Sequence, residues 1–413
     1  MKVLTHLIAL LVLSDLSFAD EPNKPLDSYI SNNKKQQFDY DYNKNEAETA
    51  KLRDSWIAPF ILNYSITKNY KEDEALGVTP ASKTEWDQES ASVSWTQTVF
   101  QSGGIYYGIK YATASGKYAN YSVDVQKRKL VKDAISILMQ IKQIGLRIQR
   151  QELQIKNSEI SLQQKREQYL SGQLDSGFLD NAIIERNLVI QALYDIETAK
   201  EKLISKFQAI SDIDYKEAYI PELNLLSREQ FLGNNIVLKM NKSEMEKNLY
   251  YKNVTIAKYL PKVSFVAGYN WQDQTKMLGF MDRPENTSYN YGIKASIPLD
   301  INTFDDVASS RLSYLKAKVA IDDKKRELSA IYEQVMQNIE NYEKKKQLSI
   351  ENKDIYTRLL GETQDLFEAG HKTKYDVDLL RNSVEISEID FKIFEIDKQL
   401  ELLTLYEMYK KED

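Results

Sequence analysis

The chain has 413 residues, 28% of them charged, with 61 Asp and Glu against 55 Lys and Arg, a net charge of −6 and no cysteine. Disulfides, thiolate metal sites and lipid attachment at an N-terminal cysteine are therefore excluded. A mean hydropathy of −0.52 excludes an ordinary helical membrane protein, and a pI near 5.4 speaks against nucleic acid as the main partner.

Residues 1–19 read as an export signal. Lys2 and His6 precede an apolar run from Leu7 to Leu13, and Ser17-Phe18-Ala19 sets small residues ahead of Asp20, where a signal peptidase would cut. His6 leaves with this segment, so His371 is the one histidine of the mature chain. No histidine-dependent triad can then be assembled, and a zinc site lacks ligands. Carboxylate pairs arise by chance among so many acids, but no glycine-rich phosphate loop or metal-spaced cluster accompanies them. The sequence is read as a non-enzyme without cofactor.

After an initial helix, WIAPFILNYSITKNY (56–70) puts Trp56, Phe60, Leu62, Tyr64 and Ile66 on one face and Asn63, Ser65, Thr67 and Asn69 on the other. ASVSWTQTV (91–99) alternates Val93, Trp95 and Val99 with serines and threonines. The same period of two recurs in YLPKVSFVAGYNW (259–271) and YNYGIKASIPL (289–299). Each predicts a strand with one wet face, about as long as the ~9 to 11 residues of a tilted barrel strand. The polar stretches 71–89 and 273–288 are read as the loops of two hairpins. Alternation alone also fits a soluble sandwich. The clustering of Trp56, Tyr64, Tyr70, Trp95, Tyr269, Trp271, Tyr289 and Tyr291 favours a barrel with aromatic girdles.

Between and after the hairpins the pattern is helical. From about Gly104 to Tyr169 there is no proline, and Leu130, Ala134, Ile137, Ile141, Ile144, Ile148, Ile155 and Leu162 follow a coiled-coil spacing. Such a helix reaches about 100 Å. LSGQLDSGF (170–178) turns the chain into a return helix ending near Ile210. The plan repeats from Asp305 to Glu368, turns at AGHKTKY (369–375), and returns on Leu379, Ile386, Ile389, Ile393, Ile396, Leu400 and Leu403. The chain is thus one unit written twice, over residues 20–211 and 232–413, joined by an irregular connector at 212–231. Pro59 and Pro261, Thr98 and Pro298, and Gly172 and Gly370 are matching landmarks.

YLPKVSFVAGYNW, YGIKASIPLDI and FEAGHKTKYDVDLL, in this duplicated order, resemble a TolC-family outer-membrane efflux protein across the mature length. The resemblance implies an α+β membrane protein of the cell outer membrane. Three copies with four strands each would form a twelve-stranded barrel, continued by a coiled-coil helical tunnel in the periplasm. It implies the exit duct of a tripartite efflux or type I secretion system, with a periplasmic adaptor and an inner-membrane pump, proton-driven or ABC, as partners. The other reading kept open is a secreted or periplasmic coiled-coil scaffold without a barrel.

Site residues follow from the same resemblance. Against a family motif of Gly-x-Arg-Thr and Asp-Val-Leu-Asp, the second turn reads Gly370-His371-Lys372-Thr373 and then Asp376-Val377-Asp378-Leu379. Asp376 matches the first acid of the ring that narrows the tunnel; Leu379 stands in the place of the second, with Asp378 one residue early. Lys372 matches a basic gate residue, Phe367 a gate aromatic without its hydroxyl, and Asp180 is the expected acidic partner. For adaptor docking, Gly172 with Ser176 and Gly370 with Thr373 match, the first turn being about one residue longer. His371 is expected to face water.

Overall fold

The computed structural model describes residues 25–73, 82–276 and 285–410, so the export-signal reading of residues 1–19 lies outside the described residues. The elements run in order: a 3₁₀ turn over Leu26–Tyr29, α1 (Asn32–Arg53), β1 (Ile61–Asp73), β2 (Ser82–Phe100), α2 (Gly104–Leu170), α3 (Ser176–Gln208), α4 (Arg228–Gly233), α5 (Ile236–Lys258), β3 (Lys262–Lys276), β4 (Asn286–Ser296), α6 (Thr303–Glu368) and α7 (Lys374–Met408). The succession helix, hairpin, long helix, return helix occurs twice, as the sequence pattern predicts. Two compact units divide the described chain, and each boundary falls inside a helix.

One unit comprises Tyr42–Tyr121 and Met240–Asp323 and holds all the strands. They form one antiparallel sheet in the order β1-β2-β3-β4. The register puts directly opposed residues on the same face. Leu62, Val93, Tyr269 and Tyr289 form one row, and Tyr64, Ala91 and Trp271 the next, so the apolar sets of the four strands coincide. The alternate rows are polar: Asn63, Ser92, Asn270 and Ser288, then Ser65, Ser90 and Gln272. The Ser65 and Ser90 hydroxyls lie 2.8 Å apart across the pair. Trp95 anchors the apolar face, stacking on Phe60 at 5.2 Å, meeting Phe265 edge-on at 5.9 Å, and donating its indole N–H to the Ala58 carbonyl at 3.1 Å.

The strands outrun their predicted ends. β1 extends to Asp73 and β2 begins at Ser82, so most of the described part of the expected 71–89 loop is strand, and β3 likewise continues to Lys276. The charged residues there read as loop, but backbone pairing propagates along the hairpin whatever the side chains. Trp56 precedes β1 in a turn rather than sitting in the strand. At the other end of β2, a register shift between Thr98 and Phe100 absorbs one residue. Ser102 (φ 46°) and Gly103 (φ 88°) then turn the chain into α2, and the Ser102 hydroxyl donates to the Pro261 carbonyl at 2.7 Å.

In the same unit α1 packs on α2 at a glycine. A Cβ added to Gly116 would lie 2.3 Å from Thr49 Oγ1 and 3.2 Å from its Cβ. Asn45 Nδ2 donates to Asn120 Oδ1 at 3.1 Å nearby, and Lys247 lies 4.1 Å from the centre of the Tyr118 ring.

The other unit holds the described residues of Met1–Asp41, Ser122–Lys239 and Lys324–Asp413. Its core gathers Val131, Ile135, Leu138 and Met139 of α2, Leu328 and Val335 of α6, Ile396 and Leu403 of α7, and Phe207 and Phe231. The predicted seam of α2 is only part of this. Ala134 and Ile141 are buried, while Leu130 and Ile137 are half-buried and a second stripe through Val131, Ile135 and Leu138 goes deeper. A two-helix seam needs one stripe, and a helix packed on several sides buries two.

The connector at 212–231 is irregular to Ser227, where α4 begins, but it belongs to the core rather than linking across it. Ile220, Leu223 and Leu226 are buried. Its backbone is satisfied by distant side chains, as a buried loop requires. Tyr332 donates to the Leu226 carbonyl (3.0 Å), Tyr29 to that of Tyr219 (2.9 Å), and the buried Gln399 accepts from the Leu223 N–H (2.9 Å).

Gly116→Ala is expected to lower the stability of the detergent-solubilised protein by about 1–3 kcal/mol, because the short, branched Thr49 cannot swing clear. Adding Thr49→Ala should return most of the loss. Thermal unfolding of the single and double variants measures both, and equal midpoints for wild type and Gly116→Ala would contradict the packing described.

Candidate gate and docking site

The predicted site residues lie at two helical turns, α2 into α3 and α6 into α7. Both turns have the same hydrogen-bond pattern. At the first, Gly172 N–H bonds to Tyr169 O (3.0 Å) and Gln173 N–H to Gln168 O (2.8 Å); at the second, Gly370 N–H bonds to Phe367 O (3.0 Å) and His371 N–H to Leu366 O (2.8 Å). This is the Schellman closure of a helix C-terminus, and it needs a left-handed residue. Gly172 (φ 76°) and Gly370 (φ 79°) supply it, and open space surrounds the position a Cβ would take at either.

The cap of each following helix lies three residues later. Thr373 caps α7 in a reciprocal capping box: its hydroxyl accepts from Asp376 N–H (3.3 Å), and Asp376 Oδ2 accepts from Thr373 N–H (3.0 Å) and from its hydroxyl (2.9 Å). In the first turn the cap is Asp175, whose carboxylate accepts from Gly177 N–H at 2.8 Å. The two turns are therefore equal in length. Counting from Gly172, the counterpart of Thr373 is Asp175, and Ser176 is the first helical residue after it. The extra residue read in the sequence came from matching hydroxyl to hydroxyl instead of cap to cap.

Asp376 is thus occupied within its own chain. The Thr373 backbone N–H, above all, holds its carboxyl below the usual carboxylate range, with the Thr373 hydroxyl and the Lys372 charge adding to this and partial burial opposing it. Asp378 pairs with Arg381 at 2.9 Å. Lys372 and His371 are exposed, as is Phe367 at the end of α6. Asp180 lies in the first turns of α3, and no ion pair joins it to Lys372 among the described residues.

Sequence reasoning missed the link between the two hairpins. Tyr375 donates to Glu167 Oε1 at 2.9 Å, 208 residues away, and this bond raises the tyrosine pKa. Farther along the same pair of helices, Asn382 donates to Asn157 (2.7 Å), Arg150 Nε meets Asp390 (3.0 Å), and Gln143 donates to Asp397 (2.5 Å). Positions 143, 150 and 157 are two helical turns apart, so α2 presents these polar groups in one line. Burial pushes the Asp390 carboxyl up, and Arg150 partly offsets it. No group of three or more His, Cys, Asp or Glu able to hold a metal occurs among the described residues.

The capping box makes the start of α7 sensitive to acid. A carboxyl whose folded pKa is depressed contributes stability above its unfolded value and loses it as pH falls through the folded one. Protection from hydrogen exchange of the Thr373 amide, which donates to the Asp376 carboxylate, should accordingly fall below about pH 4. Asp376→Asn should flatten that dependence, and Thr373→Ala should cost about 1 kcal/mol at neutral pH. Exchange independent of pH over this range in the wild type would remove the box from the account.

Residues 228–408 match the family model for the outer membrane efflux protein. The outer membrane protein VceC of Vibrio cholerae superposes with a TM-score of 0.68 at 13% identity, covering 91% of this chain and 93% of that one. The CmeC outer membrane channel of Campylobacter jejuni gives 0.69 at 12%, covering 94% and 86%. The Neisseria gonorrhoeae MtrE outer membrane channel, solved in its open state, gives 0.63 at 9%, covering 90% and 85%. A search of curated proteins returns no match. Residues 228–408 therefore match the outer membrane efflux protein family, and the chain shares the fold of these outer-membrane channels.

Proposed function

We propose that three copies of this chain form the passive exit duct of a tripartite efflux or type I secretion system. The observation that carries this reading is the sheet. One of its faces is apolar and exposed, with Tyr289, Tyr291 and Ile293 77–79% accessible, and among the described residues both of its edge strands, β1 and β4, lack a partner on one side. In lipid, open edges are not tolerated, and four strands cannot close on themselves. Head-to-tail pairing of β4 with β1 of the next copy completes the ring at twelve strands, with the apolar rows toward lipid and the serine and asparagine rows toward a water-filled lumen. A coiled-coil scaffold would have no use for those rows.

The helices continue the duct into the periplasm, and the tip turns are its controlled end. Three copies of Asp376, with Asp378 behind it, narrow the passage, while Lys372, Phe367 and Asp180 shape the resting tip. A periplasmic adaptor docks on the turns at Gly172 and Gly370, beside Ser176 and Thr373. Support for this comes from the open space at both glycines, which leaves the backbone there within reach of a partner. No phosphate-binding loop stands out in the sequence, so the driving energy comes from the inner-membrane pump.

Chemical cross-linking of detergent-extracted protein should stop at a trimer. A monodisperse, strand-rich monomer would defeat the closed ring. Gly370→Trp should abolish capture of the adaptor while the heat-sensitive gel mobility of a folded barrel persists, since the substitution adds bulk at a turn far in sequence from the strands. Normal adaptor capture by that variant would remove the docking assignment and leave the barrel untouched.

A further inference from the structure

The sheet sorts its charges by face. The acidic side chains described in its strands, Glu72, Glu85, Asp87, Glu89 and Asp273, all fall on the face that carries the apolar rows, beyond those rows toward the hairpin ends. On the polar face the described charged side chains are lysines. Lys71 lies toward the hairpin end, and Lys262 and Lys294 lie together at the helix-proximal end, where Lys262 opposes Ser296 and Lys294 opposes Ser264. The two lysines are diagonal neighbours on adjacent strands, close enough for both to act on one anion. Neither makes an ion pair or a hydrogen bond among the described residues, and Lys294 is exposed. The other described side chains of that face are serine, threonine, asparagine, glutamine and glycine, apart from Val266, Ile61 and Trp86. The edge strand β1, which would meet β4 of the next copy, adds Ile61, Asn63, Ser65 and Thr67 and no acid there.

Among the described residues no acid neutralises Lys262 or Lys294. Placed in lipid, the opposite face must exclude charge over the apolar band, which accounts for the outward acids lying past it. It does not account for the helix-proximal end of the polar face holding Lys262 and Lys294 with no acid beside them.

We propose that Lys262 and Lys294 of three copies form a basic collar inside the helix-proximal end of the barrel, which binds polyanions and favours cargo bearing phosphate or carboxylate groups. The proposal rests on the closed trimeric ring proposed above. Rings of like charge lining a pore set which ions dwell there, and lysine ammonium groups hold phosphate as point charges. The collar and the acidic tip would then be two filters of opposite sign in one duct.

The test uses the full-length protein in planar bilayers, with sodium tripolyphosphate as the probe. Added on the barrel side, it is expected to reduce the current. The double substitution Lys262→Gln with Lys294→Gln should lose that block, Lys262→Arg with Lys294→Arg should keep it, and Asp376→Asn should leave it in place. If the double glutamine variant forms no channels, Lys294→Gln alone, which removes three of the six proposed charges, should show a weaker block. A conducting wild-type channel that tripolyphosphate does not block, or a block unchanged in the glutamine variants, overturns the collar while leaving the duct intact. A protein that never conducts defeats the duct itself, and the collar with it.

Discussion

Backbone amides and carbonyls in hydrocarbon have no water to bond, and each one left unpaired there costs several kcal/mol. In this chain the constraint acts through a sheet whose faces are already committed. Because side chains alternate with a period of two, sliding any strand by one residue would carry Tyr64, Val93, Tyr269 or Tyr289 to the wet face and bring serines to the apolar one. The strands are thereby fixed in register before any other copy is considered. The shift between Thr98 and Phe100 shows where freedom remains: the extra residue is taken up at the helix-proximal end, next to the Ser102 and Gly103 turn, where the ladder is about to stop.

The helical unit is governed by a gradient along α2. Between Val131 and Ile141 it buries side chains completely, each contributing about 1.5–3 kcal/mol. From Gln143 onward polar pairs join it to α7, running from the buried Gln143 with Asp397, through the partly buried Arg150 with Asp390 and Asn157 with Asn382, to the exposed bond of Tyr375 with Glu167. Partly solvated pairs of this kind contribute about 0–1 kcal/mol each. Helices held tightly by an apolar core near the connector and lightly by polar rungs toward the turns will separate first at the turns. A gate that opens at the tips without unfolding its support requires that order of strengths.

Much of this was legible in the sequence because it is periodic. The duplicated order, the four strands and both long helices follow from patterns of two and of three-and-four, and the glycines mark the turns. What was not legible depends on distance. The connector looked like a linker because Ile220, Leu223 and Leu226 have no regular period; they are core because Tyr29, Tyr332 and Gln399, far away in sequence, satisfy the intervening carbonyls and amides. The bond from Tyr375 to Glu167 spans 208 residues and had no local signal. The Thr373 to Asp376 capping box was different. A threonine followed three residues later by an acid at the head of an apolar run is a local signature, and a small hydroxyl residue at a turn is a common helix cap whatever else it does.

The capping box bears on how the tip would work. Asp376 holds two bonds from Thr373, and these favour its ionised form. In the proposed ring three such carboxylates would face one another, and mutual repulsion would favour protonation instead. The cap works against that repulsion in each chain separately, so the ring can remain charged in a narrow opening. The same bonds also tie the charge to the fold. A cation drawing on the Asp376 oxygens competes with the Thr373 N–H and hydroxyl, and whatever loosens the cap loosens the first turn of α7 beside Gly370. On the proposed function, filter and docking surface would be two uses of one helix start, in which binding at either alters the hydrogen bonds available to the other.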